Sequence, residues 1–234
     1  MAITIYKPEW GASRPIRGVL FDMDGLVLDS EILYTRFWRE AAQALGYNMT
    51  VEQSLGMRSL GKKQGQPYLE SLFGPGIDYT TLRNKRIERM DAYVAVHGIA
   101  PKPGIYELMD YLNANGIAAA ITSSSPMASI RTHLDAANLL HRFQKLCSGH
   151  DIPNGKPAPD IYLLGASELG LHPEECLALE DSPTGILSAY RAGCLPVMIP
   201  DLDQPREETT ALLYAKADSL SDIITLINAQ TGHQ

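Results

Sequence analysis

The chain has 234 residues, of which 45% are hydrophobic and 20% are charged, and its formal net charge is −7. This composition is that of a folded globular protein and excludes a disordered or fibrous chain. The acidic balance argues against a nucleic-acid partner, because affinity for nucleic acids depends on Lys and Arg neutralising backbone phosphates.

The three cysteines, Cys147, Cys176 and Cys194, are odd in number and far apart, which predicts neither a disulfide framework nor a CxxC metal site. The N-terminal residues lack a basic segment followed by an apolar one, and no run approaches about 18 apolar residues. We therefore expect a cytoplasmic protein without a membrane partner. The sequence does not determine the oligomeric state, and we favour a monomer.

The first element that the sequence predicts is a short buried strand at Gly18–Phe21, after a polar N-terminal extension over residues 1–13. An all-helical stretch then begins at Ser30, a candidate N-cap, and includes a possible capping box at Thr50 and Gln53. No strand-like segment interrupts this stretch before Gly98. It therefore has the pattern of a helical domain inserted after the first strand.

The segment GIAPKPG, residues 98–104, contains two prolines and two glycines and predicts a hinge. Beyond it, the strand-like segments IAAAIT, KLCS, CLALE and LPVMI alternate with helical segments. This alternation predicts βαβ units and a parallel sheet covered on both faces. We predict an α/β fold with a Rossmann-like parallel-sheet core, formed by residues 14–29 and 101–234, and an inserted all-α cap over residues 30–100.

Two aspartates, Asp22 and Asp24, follow directly after the first strand in the motif FDMDG. The carboxyl ends of strands are where open α/β sheets bind their ligands. Like charges this close favour a bound cation, and oxygen ligands favour a hard one such as Mg²⁺. On local grounds the pair also fits two turn-forming aspartates without a catalytic role.

Three further motifs follow later strands. Hydroxyls from Thr122 to Ser125 precede a predicted helix and favour phosphate binding, although an ordinary N-cap fits equally well. Lys156, in the proline-rich loop GKPAPD, is a candidate to neutralise phosphate charge or to stabilise a nearby carboxylate; the alternative is an ordinary surface lysine. Glu180 and Asp181 end another apolar strand, where they predict a second set of metal ligands; the alternative is a helix N-cap at Asp181 or Ser182, with Pro183 as the first helical residue.

The four motifs occur in the order Asp, hydroxyl, Lys and Asp, each at the predicted carboxyl end of a strand or in the loop after it. In this order and spacing the chain resembles the haloacid dehalogenase superfamily over nearly all of residues 16–227. The insertion point after FDMDGLVLDSE resembles the helical-cap branch, which includes β-phosphoglucomutase and phosphatases of sugar phosphates and pseudouridine 5′-phosphate.

The resemblance implies a role for each motif. Asp22 would be the nucleophile that receives the phosphoryl group, and Asp24 would be the general acid and base. The remaining implied contacts are Gly25, Thr122, Ser123 and Lys156 to phosphate, and Asp22, Asp24, Glu180 and Asp181 to Mg²⁺. Arg58, in the predicted cap, is a further candidate for substrate contact, or else a surface arginine.

The resemblance also separates the activities within this branch. The mutases carry a histidine ten residues beyond the second aspartate, and this chain has Tyr34 there. We therefore predict a Mg²⁺-dependent phosphomonoester hydrolase for a small phosphorylated metabolite, a sugar or nucleoside phosphate. The alternatives are a β-phosphoglucomutase-like phosphomutase and a non-catalytic phosphometabolite-binding protein. A dehalogenase is disfavoured, because that reaction needs neither Asp24 nor the metal ligands.

Overall fold

The computed structural model describes residues 3–12, 15–58 and 60–231. The chain divides into two compact units, one formed by residues 1–29 and 100–234 and the other by residues 30–99. The first unit contains a β-sheet with helices, and the second is entirely helical in its described residues. Within these ranges no helix is both long and apolar enough to cross a membrane.

The first unit is built on a seven-stranded sheet. Its strands are β1 (Ile3–Ile5), β2 (Gly18–Phe21), β3 (Ala118–Ser123), β4 (Lys145–Ser148), β5 (Cys176–Glu180), β6 (Leu195–Met198) and β7 (Ala215–Ala217). Their spatial order is β1-β7-β6-β5-β2-β3-β4. All neighbouring strands are parallel except β1, which runs antiparallel to β7. The predicted α/β fold with a parallel-sheet core is confirmed.

Eleven α-helices fall within the described residues. They are α1 (Pro8–Ala12), α2 (Glu31–Ala44), α3 (Val51–Leu55), α4 (Lys62–Phe73), α5 (Tyr79–His97), α6 (Ile105–Ala114), α7 (Met127–Ala136), α8 (Asp160–Glu168), α9 (Pro183–Ala192), α10 (Glu207–Thr210) and α11 (Asp222–Thr231). Helices α2 to α5 form the second unit. Short 3₁₀ turns cover Leu140–Arg142 and Pro173–Glu175.

The helical unit is stabilised by local caps and by its own apolar core. The predicted capping box is present: the Gln53 amide donates to the Thr50 hydroxyl at 3.2 Å, and the Thr50 amide donates to the Gln53 side chain at 2.9 Å. A buried cluster that includes Trp38, Leu69 and Leu82 fills its interior. Each such buried large apolar side chain contributes about 1.5–3 kcal/mol relative to exposure.

The structure adds elements that the sequence analysis did not identify. The N-terminal extension supplies β1 and α1, and the chain after β6 supplies α10 and β7. The predicted helix after the serine run begins at Met127, with Pro126 rather than a serine at the N-cap. The hydroxyls of that run therefore lie at the end of β3 and in the turn after it, so the alternative of an ordinary serine N-cap is wrong.

Strand β2 lies at the centre of the sheet, between β3 and β5. Its residues Val19, Leu20 and Phe21 are fully buried. Phe21 lies opposite Ile121 on β3 and opposite Leu179 on β5. Because the three strands are parallel and in this register, the residues that come next in each of them reach the same edge of the sheet.

Candidate active site

Three carboxylates converge at this edge. Asp22 directly follows β2, and its amide donates to the Leu179 carbonyl at 3.0 Å. Glu180 is the last residue of β5, and Asp181 follows it. One ligand oxygen from each carboxylate lies within 4.8 Å of the others, and all three residues are buried. A set of hard oxygen donors at this spacing is suited to a divalent cation such as Mg²⁺.

Lys156 lies against two of these carboxylates. Its Nζ is 2.5 Å from Asp22 Oδ1 and 2.5 Å from Glu180 Oε1, and its side chain is only 9% exposed. The proline-rich loop thus brings Lys156 into contact with Asp22 and Glu180, which are 134 and 24 positions away from it along the chain. This position excludes the alternative of a solvated surface lysine.

The charges of the cluster do not balance. Asp22, Glu180 and Asp181 can carry three negative charges, and Lys156 carries one positive charge. Burial raises the pKa of Asp22 to about 8, because the loss of solvation outweighs the attraction of Lys156, and the negative charge of Glu180 adds to the increase. Burial alone would lower the pKa of Lys156, but the attraction of Asp22 and Glu180 raises it above its ordinary value. The remaining negative charge favours a bound cation.

A glycine makes room for the Glu180 side chain. Gly185 lies in the first turn of α9, and a Cβ atom built there would overlap the Glu180 carboxylate. Ser182 caps this helix by accepting a hydrogen bond from the Gly185 amide at 3.1 Å. The predicted cap of α9 is therefore supplied by Ser182, with Pro183 as the first helical residue, and the neighbouring Asp181 belongs to the acidic cluster.

The Asp24 carboxylate is held by a serine in the turn after β3. The Ser125 hydroxyl donates to Asp24 Oδ2 at 3.1 Å. The other carboxylate oxygen, Oδ1, is buried and has no hydrogen-bond partner among the residues that the structure describes. A buried acceptor of this kind needs a partner, and a substrate hydroxyl or a water molecule would supply one. The turn after Asp24 contains Gly25, with φ of 84°, whose amide donates to the Leu28 carbonyl at 3.0 Å.

Thr122 and Ser123 lie at the end of β3, one and two positions beyond the residue that pairs with Phe21. Both are fully or almost fully buried, with exposures of 0% and 1%. The Thr122 hydroxyl donates to the Phe21 carbonyl at 3.1 Å, and the Ser123 hydroxyl accepts from the Ser125 amide at 3.1 Å. These hydroxyls thus lie at the same sheet edge as the carboxylates.

Tyr162 is a residue of this site that sequence reasoning missed. It is fully buried in α8, and its hydroxyl donates to Glu180 Oε1 at 2.6 Å. Its ring centroid lies 5.1 Å from the Lys156 Nζ. A tyrosine among the apolar residues Ile161, Leu163 and Leu164 is expected to be a core residue, so the sequence carries no signal for this contact.

Arg58 lies in the helical unit, just after α3, and is partly buried. Its Nε is 3.0 Å from Glu31 Oε2, and the side chains of Arg58 and Glu31 are 16% and 14% exposed. The arginine therefore belongs to an ion pair inside this unit. Its predicted contact with substrate stays a prediction.

Residues 16–193 match the family model of haloacid dehalogenase-like hydrolases. This chain belongs to that family. Hexitol phosphatase A of Escherichia coli K12 is 34% identical over 88% of this chain and 93% of its own length. A probable pseudouridine-5′-phosphatase of Drosophila melanogaster is 31% identical over 88% and 92%. The crystal structure of CbbY from Rhodobacter sphaeroides in complex with phosphate superposes with a TM-score of 0.77, at 26% identity, over 89% and 96%.

The match confirms the family that the motifs predict, and with it an enzyme of the hydrolase type. The residues present also fit a metal ion, because the three clustered carboxylates supply the donor type that a hard divalent cation prefers. The site residues were predicted from four separate segments of the chain. In the structure Asp22, Lys156, Glu180 and Asp181 share one cluster.

Proposed function

We propose that the protein is a Mg²⁺-dependent phosphomonoester hydrolase that acts on a small sugar or nucleoside phosphate through a phospho-aspartate at Asp22. A phosphatase agrees with both the family and the phosphatase names of its relatives. The observation that carries the proposal is the convergence of three buried carboxylates and Lys156 at the carboxyl edge of the sheet.

In this proposal Asp22 attacks the phosphorus atom while the bond from phosphorus to the substrate oxygen breaks. Asp24 donates a proton to the departing oxygen, which leaves as an alcohol. Asp24 then accepts a proton from a water molecule, which attacks the phosphorus and releases inorganic phosphate from Asp22. The position of Asp24 supports this role, because one of its oxygens is held by Ser125 and the other has no partner within the described residues.

The transferring phosphoryl group needs positioning and charge stabilisation more than further covalent chemistry. We assign this task to Thr122, Ser123, Gly25 and Lys156. Lys156 supports the assignment through its contact with Asp22 Oδ1, which places a positive charge beside the attacking carboxylate. Donors fixed in a site that excludes water stabilise developing charge better than solvent does.

The magnesium ion would be held by Asp22, Asp24, Glu180 and Asp181. When bound, the cation would stabilise negative charge on the phosphoryl oxygens and favour the ionised form of Asp22. This matters because the pKa of Asp22, raised by burial to about 8, leaves much of this carboxyl protonated at neutral pH without a cation. A protonated carboxyl group is a poor nucleophile.

The substrate class is part of the proposal. Hexitol phosphatase A and the probable pseudouridine-5′-phosphatase are named for small phosphate esters of a sugar alcohol and a nucleoside. Tyr34, in place of the mutase histidine, supports hydrolysis over phosphomutase chemistry. We further propose that residues 30–100 are a cap that selects the substrate and that Arg58 contributes to this selection. A cytoplasmic location agrees with the three free, buried thiols, and we further propose that the protein is a monomer.

The test is a screen of phosphorylated metabolites with released phosphate as the readout, run with Mg²⁺ and with EDTA. We expect the wild type to release phosphate only with the metal and Asp22→Asn to release none. Asp218→Asn, at an exposed pair with Lys216, is the matched control and should keep full activity. Conversion of β-glucose 1-phosphate to glucose 6-phosphate without phosphate release would instead establish a mutase.

A further inference from the structure

The phenol group of Tyr162 has no part in the proposed reaction, yet it lies inside the acidic cluster. Tyr162 has no exposed surface, and its hydroxyl donates to Glu180 Oε1 at 2.6 Å. A buried tyrosine hydroxyl usually finds a partner, and here the partner is a carboxylate rather than a backbone carbonyl. Hydrogen bonds to an ionised acceptor are shorter and stronger than those between neutral groups.

The Glu180 carboxylate is held on both of its oxygens. Oε1 accepts from Tyr162 and from Lys156 Nζ, the latter at 2.5 Å. Oε2 accepts from the Ser182 hydroxyl at 3.1 Å and from the Ser182 amide at 3.4 Å. Lys156 is shared with Asp22, whereas the one proton of the Tyr162 hydroxyl is directed to Glu180. Tyr162 therefore gives Oε1 of Glu180 a donor that, unlike Lys156, is not shared with the nucleophile.

The same side chain also contacts the lysine. The Tyr162 ring lies 5.1 Å from Lys156 Nζ. One buried residue thus contacts both Glu180, through its hydroxyl, and Lys156, through its ring.

We propose that Tyr162 is a positioning residue of the divalent-cation site and that its hydroxyl fixes the Glu180 carboxylate in the orientation that binds the metal. The inference rests on the proposed function, since it assigns Glu180 to the metal. Groups that hold a metal ligand through a hydrogen bond commonly change metal affinity by about 10–100-fold when they are removed. A phenylalanine at position 162 keeps the ring against Lys156 and removes only the donor.

The test compares Tyr162→Phe with the matched control Tyr214→Phe. Tyr214 is also buried in the first unit, and its hydroxyl accepts a hydrogen bond from Gln230. Calorimetric titration of the substrate-free proteins with Mg²⁺ should show the dissociation constant rising about 10–100-fold in Tyr162→Phe and less than about twofold in Tyr214→Phe. Steady-state kinetics should show a kcat that falls at limiting Mg²⁺ and largely recovers at saturating Mg²⁺.

Two outcomes overturn the inference about Tyr162 and leave the proposed function intact. One is a wild type that binds Mg²⁺ and releases phosphate while Tyr162→Phe keeps the same affinity and the same Mg²⁺ dependence. The other is an equal loss of affinity in both variants, which would mean that any buried hydroxyl of the unit has this effect. A wild type that neither binds Mg²⁺ nor releases phosphate overturns the proposed function as well, so the two failures are distinguishable.

Discussion

Replacement of Lys156 by methionine tests the electrostatics of the cluster most sharply. Methionine nearly matches the length of the lysine side chain but removes the only positive charge that contacts Asp22 and Glu180 in the described structure. Removing one partner of a buried ion pair costs about 3–5 kcal/mol, because the other charge is left buried and unpaired. For a chain of this length the loss corresponds to a decrease in melting temperature of about 6–20 °C.

The cost of Lys156→Met should depend on pH in a defined direction. In the metal-free wild type the pKa of Asp22 is raised by burial to about 8, and loss of the lysine raises it further. A carboxyl group whose pKa is raised on folding contributes stability that is present below its unfolded pKa, about 4, and is lost as the pH rises through the folded pKa. The variant should therefore be less destabilised near pH 6 than near pH 8.5.

The assay is denaturant unfolding of both proteins in EDTA at these two pH values, with Lys216→Met as the control. Lys216 pairs with Asp218 at 3.2 Å on the surface, and such pairs contribute about 0–1 kcal/mol. Two results would contradict this prediction. One is a free energy of unfolding of Lys156→Met within about 1 kcal/mol of the wild-type value near pH 8.5, and the other is a loss of stability that is greater near pH 6 than near pH 8.5.

Three further predictions concern the metal and the acid–base group. Gly185→Ala should weaken Mg²⁺ binding by about 10–100-fold, because the new methyl group displaces the Glu180 carboxylate; unchanged affinity in calorimetry would contradict this. Mg²⁺ binding near pH 7 should release protons from Asp22, so that affinity rises from about pH 6 to 8, and titrations in two buffers of different ionisation enthalpy should reveal the release. Ser125→Ala should lower kcat about 10–100-fold at constant KM, since Asp24 loses the donor at 3.1 Å, whereas Ser125→Thr should retain most activity.

The sequence predicts the central sheet well, because its strands are short apolar runs that end at charged or turn-forming residues. Strands β2, β4 and β5 have the predicted bounds. The three-residue strands β1 and β7 were not predicted. They pair with each other although they are more than 200 positions apart along the chain. Three residues are also too few to show the alternation of apolar and polar side chains that predicts a strand.

For the site, the sequence identifies side chains that carry their own chemistry at strand ends. Asp22 and Glu180 could be selected in this way, since their grouping follows from the parallel register of β2 and β5. Lys156 could be selected from its charge in a proline-rich loop after a strand, and the structure brings it to both carboxylates. The contributions of Tyr162 and Gly185 could not be predicted from the sequence. Each of these helical residues affects the site only through its contact with Glu180, which comes from another segment of the chain. Such contacts depend on packing between distant segments rather than on local pattern.

Transfer of a substrate's phosphoryl group to Asp22 is the central step of the proposed reaction. Asp24→Asn should slow the water attack more than the first transfer, so mass spectrometry of this variant, quenched in acid during turnover with Mg²⁺, measures the intermediate. We predict one phosphoryl group on the peptide that contains Asp22, and none in the EDTA control. An unmodified Asp22 peptide, in a preparation whose wild type releases phosphate from the same substrate, would contradict the account.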